Sequence, residues 1–149
     1  MFLLDSNIYI AAFNDPGFGA SFRRFHSTQL PRIVLSAVVA HELLVGARTP
    51  DRQRDLARGL LEPFRTRRKL HVPSFATWEL AAEIDRRLRA LGGYESSLAQ
   101  RSFANDILIA AATRELGATL VTRNLDDFAR IGRVLPLKYV APWPEPASG

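Results

Sequence analysis

Short apolar runs alternate along this chain with longer segments in which apolar residues recur every three or four positions. The runs are apolar on both faces and end at polar or turn residues, so they predict short buried strands, at 1–5, 32–36, 69–73, 119–122 and 134–140. The longer segments predict helices, at 6–13, 20–29, 37–48, 49–67, 74–91, 94–116 (one or two helices) and 124–131.

Strands that alternate with helices predict a mostly parallel sheet covered by helices on both faces, a three-layer α/β/α fold. Neither an internal repeat nor a dividing linker interrupts the pattern, so we expect a single domain over 1–140. The proline-rich tail 141–149 is predicted to be irregular. On the predicted helix 74–91, the spacing of Trp78, Leu88 and Leu91 predicts that these side chains face the core.

Composition narrows the class of protein. The 149 residues are 47% hydrophobic and 23% charged, as expected for a globular domain, and no apolar stretch is long enough to cross a bilayer. The absence of cysteine excludes disulfides, thiolate metal sites and a cysteine nucleophile, and together with the lack of a signal-peptide pattern it predicts a cytoplasmic protein. A net charge of +5 favours a polyanionic partner such as nucleic acid.

Three acids stand in apolar surroundings, and each belongs to a different predicted element. Asp5 ends the first strand, Glu42 lies on an apolar helix stripe, and Asp106 lies in a helix that is apolar almost all round. The position of Asp5 suits a ligand site, because open parallel sheets bind ligands outside the carboxyl ends of their strands. Taken singly, each acid is equally typical of a helix cap or of a buried carboxylate satisfied by backbone amides or an arginine.

Taken together, the three acids favour a bound cation. Converging carboxylates repel one another and destabilise a fold unless a positive charge joins them. Oxygen ligands without cysteine, and with only scattered histidines, suit Mg²⁺ or Mn²⁺ better than Zn²⁺. In a basic protein such a site predicts phosphodiester hydrolysis, in which the ion binds the scissile phosphate and lowers the pKa of an attacking water.

A further polar cluster follows the fourth predicted strand. Thr122 and Asn124 sit at the strand end, where they are expected to contact water or metal from behind the direct ligands. Asn124 is also placed to cap the next helix, with Asp126 and Asp127 in its first turn. The capping interpretation accounts fully for Asp126.

Four segments, "LLDSNIYI", "VVAHELLVGA", "FANDILIAAA" and "LVTRNLDDF", in this order and spacing resemble the PIN-domain ribonucleases. More narrowly, they resemble the VapC-type toxins of type II toxin–antitoxin modules, over residues 1 to about 140. The resemblance implies a central parallel sheet of about five strands, frequent homodimers and an endoribonuclease that depends on Mg²⁺ or Mn²⁺. It also implies RNA as the substrate and a small VapB-type antitoxin as the partner.

Matched position by position, the resemblance assigns the acidic metal-binding and catalytic residues to Asp5, Glu42 and Asp106. Ser6 and Asn7 match the small hydroxyl and the asparagine that follow the first acid, and Thr122 matches the threonine before the last acidic corner. Many family members carry aspartate where this chain has Asn124. Asparagine is also common at this position among the toxins, with an acid just before the phenylalanine, as at Asp127. The number of ions, one or two, and the role of Asp127 are left open by this departure.

Two arginines are candidates for contact with RNA phosphates, Arg101 before the third acid and Arg123 after the fourth strand. The alternative function is a catalytically inactive PIN-like module that only binds RNA or a protein partner, and Asn124 is the residue that favours it. A phosphatase of the haloacid dehalogenase type needs a second aspartate where Asn7 stands, and a receiver domain needs an acidic pair that this chain lacks. The absence of a glycine-rich phosphate loop argues against nucleotide binding.

Overall fold

A computed structural model describes residues 1–144 and shows a five-stranded, all-parallel sheet with helices on both faces. The strand order is β3-β2-β1-β4-β5. The strands are β1 Phe2–Leu4, β2 Ile33–Ser36, β3 Leu70–His71, β4 Thr119–Val121 and β5 Lys138–Val140. The predicted α/β/α fold and the number of strands are confirmed, although β3 and β5 are shorter than the apolar runs that predict them.

Most helices match the predicted segments, but the second begins at Pro16, four residues before the predicted segment 20–29. They are α1 Ser6–Asn14, α2 Pro16–Gln29, α3 Ala37–Gly46, α4 Pro50–Leu56, α5 Glu62–Thr66, α6 Phe75–Leu91, α7 Glu95–Leu98, α8 Arg101–Leu116 and α9 Leu125–Ile131. The segment predicted as one helix over 49–67 is divided by a π-helical turn, Ala57–Leu61. Pro63 follows this turn and has no N–H to donate to the carbonyl of Gly59, so the α-helical hydrogen-bond pattern is interrupted there.

Polar residues at the strand ends start the helices that carry the site. Asp5 caps α1 by accepting a hydrogen bond from the backbone N–H of Ser6, and Ser36 caps α3 through Val38. At the C-terminal end of α8, Gly117 adopts a left-handed conformation with φ of +60°, which terminates the helix before β4. These short connections set each helix at a fixed position relative to its strand.

The hydrophobic core lies between the sheet and α8, whose residues Ile107 to Thr113 are all buried. Helix α6 packs on α8 and buries Ile84 and Leu88. The expectation that Trp78 and Leu91 face the core is wrong, because these side chains are 56% and 55% exposed. Only a narrow stripe of α6 meets α8, so the wider apolar face that the spacing suggests extends into solvent.

The order in which successive strands are added to the sheet reverses at β1. Strand β2 lies on one side of β1 and β4 on the other, and all three are parallel. The backbone N–H of Asp5 continues this pairing to the carbonyl oxygen of Val121 at 2.9 Å. At such a switch point the helices that follow the two strands leave on opposite faces and open a crevice at the strand ends.

The segment after β5 returns over α2. Trp143 stacks on Phe25 with ring centroids 4.9 Å apart and packs obliquely on Phe18 at 5.2 Å. Residues 141–144 form no helix or strand, and the remainder of the tail predicted to be irregular, 145–149, lies outside the described residues. Among residues 1–144, the helices are too short or too polar to traverse a bilayer.

Candidate metal centre

Asp5 is the most rigidly held of the three predicted acids. One oxygen, Oδ1, accepts the Ser6 N–H at 2.7 Å, and Oδ2 accepts the Thr122 hydroxyl at 2.7 Å and the Asn7 side-chain amide at 3.0 Å. The residue is only 2% exposed. Burial raises the pKa of Asp5, the hydrogen bonds from Thr122 and Ser6 counteract this in part, and the charge of Glu42 raises the pKa further.

A network of short contacts ties the ends of β1 and β4 together around Asp5. The side-chain amide of Asn7 donates to the Thr122 hydroxyl at 3.2 Å, and its Oδ1 accepts the backbone N–H of Arg123 at 3.2 Å. The backbone N–H of Asn124 also donates to the Thr122 hydroxyl, at 3.0 Å. The predicted residues Ser6, Asn7 and Thr122 therefore all lie at the switch point and fix the orientation of one carboxylate.

Glu42 extends from α3 into the crevice, and one of its two carboxylate oxygens accepts a hydrogen bond. Its Oε1 accepts a hydrogen bond from the Asn105 side-chain amide at 3.0 Å, whereas Oε2 is buried and has no partner among residues 1–144. Asn105 precedes Asp106 on α8, so this contact links α3 to the helix that carries the third acid. Sequence reasoning missed Asn105, whose only signal is an amide side chain next to a candidate ligand.

Asp106 lies in α8, 9% exposed, and has the most strongly shifted pKa of the acids at this site. Burial, followed by the negative charges of Asp5, Asp127 and Glu42, raises the pKa of Asp106 to about 8. The four carboxylates thus come from four separate elements and interact at one end of the sheet. Asp106 accepts a hydrogen bond at 3.3 Å from the amide of Asn124.

Asn124 precedes α9, but its side chain forms no capping hydrogen bond, contrary to the prediction. The amide nitrogen instead donates to Oδ2 of Asp106 at 3.3 Å and to Oδ2 of Asp127 at 2.9 Å. Arg130 donates to the other oxygen of Asp127 at 3.3 Å. Asp126 is exposed on the first turn of α9, whereas Asp127 belongs to the acidic cluster.

The two candidate arginines differ in their surroundings. The guanidinium of Arg123 lies over the ring of Phe18, 5.2 Å from its centroid, close to the Asn7 contact described above. Arg101 is exposed at the first residue of α8, the helix that carries Asp106. Both residues are exposed, and the backbone N–H of Arg123 contacts Asn7, which in turn donates to Asp5.

The donor set suits a divalent cation with a preference for oxygen. Burial and the neighbouring carboxylates disfavour the charge of Asp106 and raise its pKa to about 8, so a positive charge nearby would favour the ionised form, and Glu42 presents a buried oxygen without a partner among residues 1–144. Within residues 1–144, however, no three His, Cys, Asp or Glu side chains already stand in a metal-holding arrangement. An ion would have to replace hydrogen bonds that Thr122, Asn7 and Asn124 now make to carboxylate oxygens.

Comparison with known proteins places this geometry in a family. The chain matches the PIN domain model over residues 2–134. No curated protein sequence matches it at a significant level.

Three solved structures share the fold along almost the whole chain. They are VapBC2 from Rickettsia felis bound to a DNA fragment from its promoter (23% identity, TM-score 0.64, covering 96% of this chain and 98% of that chain), FitAcB from Neisseria gonorrhoeae (21%, 0.65, 96% and 99%) and a toxin–antitoxin complex from Klebsiella pneumoniae (20%, 0.60, 97% and 100%). Because the family model spans most of the sequence and the acids lie at the switch point of the matching fold, this chain belongs to the PIN domain family.

Proposed function

We propose that this chain is an endoribonuclease dependent on Mg²⁺ or Mn²⁺ and the toxin of a toxin–antitoxin pair. One observation carries the proposal: four carboxylates from separate elements converge at the switch point, where burial and the charges of the other three raise the pKa of Asp106 to about 8. A purely structural cluster would offset such repulsion with arginine or lysine, because buried charges are costly without partners, and Arg130 reaches only Asp127 here. Membership of the PIN domain family and the fold of the toxin–antitoxin complexes support the same function.

Each residue of the centre has its own proposed role in catalysis. Asp5, Glu42 and Asp106 are the proposed ligands, and an ion bound there supplies charge for the scissile phosphate and a water of lowered pKa. Asp5 is pre-positioned by Thr122 and Ser6. Glu42, with Oε1 held by Asn105 and Oε2 free, either ligates the ion or orients the attacking water as a base.

The strand of RNA is proposed to lie across the crevice on basic side chains. Arg101 and Arg123 are the candidates for phosphate contact, in a chain whose net charge is +5. We further propose a VapB-type antitoxin as the partner that blocks this centre, a homodimer as the assembly, and the cytoplasm as the compartment. These proposals follow the sequence resemblance and the toxin–antitoxin complexes with which the fold is shared.

The experiment that tests the activity is cleavage of single-stranded RNA by the purified chain. We expect cuts with Mg²⁺ or Mn²⁺, none with EDTA, and recovery when the ion is restored in excess. Single-stranded DNA of the same sequence serves as the control substrate. Cleavage that continues unchanged in EDTA, or no cleavage of any RNA with either ion, would contradict the proposal.

The second candidate is an inactive PIN-like module that binds RNA or protein. The Asn124 amide favours it, because this group already bridges Asp106 and Asp127 without any ion. Thermal unfolding with and without divalent ions separates the two, since a ligand that binds only the folded state must raise the melting temperature. An unchanged melting temperature supports the inactive module.

A further inference from the structure

The end of the sheet opposite to the acidic centre carries a cluster of basic side chains. Arg32 directly precedes β2 and Lys69 directly precedes β3, so both stand where parallel strands begin. Burial, followed by the charges of Arg32 and Lys69, lowers the pKa of the Met1 amino group, which places both cations near the start of β1. Arg68 is the neighbour of Lys69 in the chain. These three residues, Arg32, Arg68 and Lys69, are called the basic end below.

The positive charge of the basic end is not balanced by acids. Within residues 1–144, none of its three cations forms an ion pair with a carboxylate. The arginines of α6 differ, since Arg86, Arg87 and Arg89 are each paired with Glu83 or Asp85. The sheet therefore has uncompensated negative charge at one end and uncompensated positive charge at the other, and the positive end attracts anions.

The side chain of Arg32 is held in place without losing its donors to an acid. Its guanidinium lies over the ring of Phe2, 5.1 Å from the centroid, and the residue is exposed. Arg67, which lies next to the basic end, has a structural role instead. Its guanidinium stacks on Phe64 at 4.9 Å and its Nε donates to a backbone carbonyl at 3.1 Å. Arg67 is therefore not counted as part of the basic end.

Arg68 occupies a backbone position that favours glycine. Its φ is +53°, and among residues 1–144 every other residue with a positive φ is a glycine. Helix α5 ends here in a Schellman motif, because the N–H of Lys69 donates to the carbonyl of Phe64 and that of Arg68 to Arg65, each at 2.9 Å. An arginine in this conformation destabilises the fold relative to glycine, so its exposed charge rather than its backbone explains its presence.

The separation of the two ends of the sheet limits the kind of ligand. Met1, beside the basic end, precedes Asp5 by four residues, which is about 13 Å along the strand at about 3.3 Å per residue. A single nucleotide bound at the acidic centre does not span this distance, whereas a strand of RNA covers it with about four stacked nucleotides at ~3.4 Å each. A polyanion that starts at one end can therefore reach the other.

We propose that the basic end binds the phosphodiester backbone of RNA at a point remote from the cut. Arg32 and Lys69 contact phosphates near the start of β1, and Arg68 adds a further charge from the turn before β3. The choice of RNA as the ligand rests on the proposed function. The surface deepens that function, because RNA long enough to reach both ends of the sheet is held more tightly than the segment around the cut.

Binding of two lengths of RNA to the uncleaving variant Asp5→Asn tests the basic end. The probes are single strands of about four and about twenty nucleotides, of which only the longer reaches the basic end at ~3.4 Å per stacked nucleotide. With Arg32→Gln, Arg68→Gly and Lys69→Gln combined, affinity for the longer strand should fall on the order of tenfold at low salt, and affinity for the shorter should not change. The slope of log affinity against log salt should become shallower by about 2, since each phosphate contact on a single strand contributes about 0.7.

The single variant Arg68→Gly separates a binding role from a structural one. Its melting temperature should exceed that of the parent, because glycine adopts the positive φ without strain, whereas its affinity for the longer strand should fall about threefold. A role in folding alone would not move these two quantities in opposite directions. A fall in melting temperature, or an unchanged affinity for the longer strand, would remove Arg68 from the surface.

A matched triple variant controls for net charge. Arg54→Gln, Arg86→Gln and Arg89→Gln together remove the same three positive charges, but from residues that are already paired with acids. This control should leave the salt slope for the longer strand unchanged. An equal loss of affinity in both triple variants, or no loss in the basic-end variant, would overturn the proposal.

These binding measurements do not depend on cleavage, so the two proposals fail separately. If the wild-type chain cuts no RNA but the basic-end variant loses affinity for the longer strand, the nuclease is overturned and the basic end is supported. Cleavage by the wild-type chain with unchanged long-strand binding in the variant overturns the basic end alone. If the variant weakens binding of a co-expressed antitoxin but not of RNA, the basic end docks protein and the RNA proposal is wrong.

Discussion

Two carboxylates on the same helix, Asp106 and Glu115 of α8, have opposite electrostatic environments. Glu115 accepts hydrogen bonds from the Ser74 hydroxyl and from Nε2 of His71, the latter at 2.8 Å. Hydrogen bonds from Ser74 and Thr77, and then His71, hold the pKa of Glu115 below its ordinary value. Burial and three neighbouring acids raise the pKa of Asp106 to about 8.

The difference shows how a structural carboxylate can be told from a functional one. The charge of Glu115 is stabilised by partners within the chain, so the folded protein needs nothing else at that end of α8. The charge of Asp106 is opposed by its surroundings, and this is the repulsion that the proposed cation would relieve. Variants of the two residues should therefore behave in opposite ways.

The largest expected effect is on RNA cleavage. Asp5→Asn should lower the cleavage rate on the order of 1000-fold, because loss of one ligand forfeits several kcal/mol of charge stabilisation by the metal. Glu115→Gln, the matched control on the structural side, should cleave at nearly the wild-type rate. Gel-resolved cleavage rates in Mn²⁺ measure both, and an Asp5→Asn protein that folds and cleaves normally would remove Asp5 from the centre.

The next largest effect is on stability, which should change in opposite directions in variants of Asp106 and Glu115. Without metal at about pH 8, Asp106→Asn should raise the free energy of unfolding by ~1–3 kcal/mol, because it removes a charge that is buried among other acids. Glu115→Gln should lower the free energy of unfolding by about 1–2 kcal/mol through weakened charge-assisted hydrogen bonds. Chemical denaturation in EDTA measures both; two changes of the same sign would contradict the comparison.

The pH dependence of the metal-free protein follows from the direction of the Asp106 shift. The folded pKa, about 8, exceeds the ordinary value of 3.8, so the folded state binds more protons between these values. This group therefore makes stability fall as pH rises from about 4 to about 8, with no further change above. Thermal unfolding across this range in EDTA should show the slope in the wild type, and a smaller slope in Asp106→Asn.

The smallest expected effect is on metal-free stability and ion binding at Asn124, where the sequence departs from many family members. Asn124→Asp removes the amide that bridges Asp106 and Asp127 and adds a fifth acid. We expect a loss of ~1 kcal/mol in metal-free stability and tighter binding of divalent ions. Isothermal titration with Mn²⁺ gives the affinity and the number of sites, and weaker ion binding than in the wild type would count against a metal role for this corner.

The convergence of the acids at one end of the sheet is easier to predict from the sequence than the contacts around them. Asp5, Glu42 and Asp106 stand out because each interrupts an apolar pattern, and a parallel sheet brings strand ends together. Contacts such as that between Asn105 and Glu42 leave no such mark, since they depend on the packing of α3 against α8.

Three other features required the folded chain. The sequence pattern does not predict a position for Trp143, which packs on α2 because β5 brings the tail to that face. Nor does it predict a position for His26, which lines a cavity formed by helices that are distant in the sequence. The exposure of Trp78 reflects how little of α6 the core covers.

The central claim is that Asp5, Glu42 and Asp106 hold one divalent cation between them. Its most direct test is thermal unfolding with and without Mn²⁺ for the wild type, for Asp5→Asn, Glu42→Gln and Asp106→Asn, and for Glu115→Gln. We predict a rise in melting temperature with Mn²⁺ for the wild type and Glu115→Gln, and a much reduced rise for the other three. An equal rise in all five proteins, or none in any of them, would contradict it.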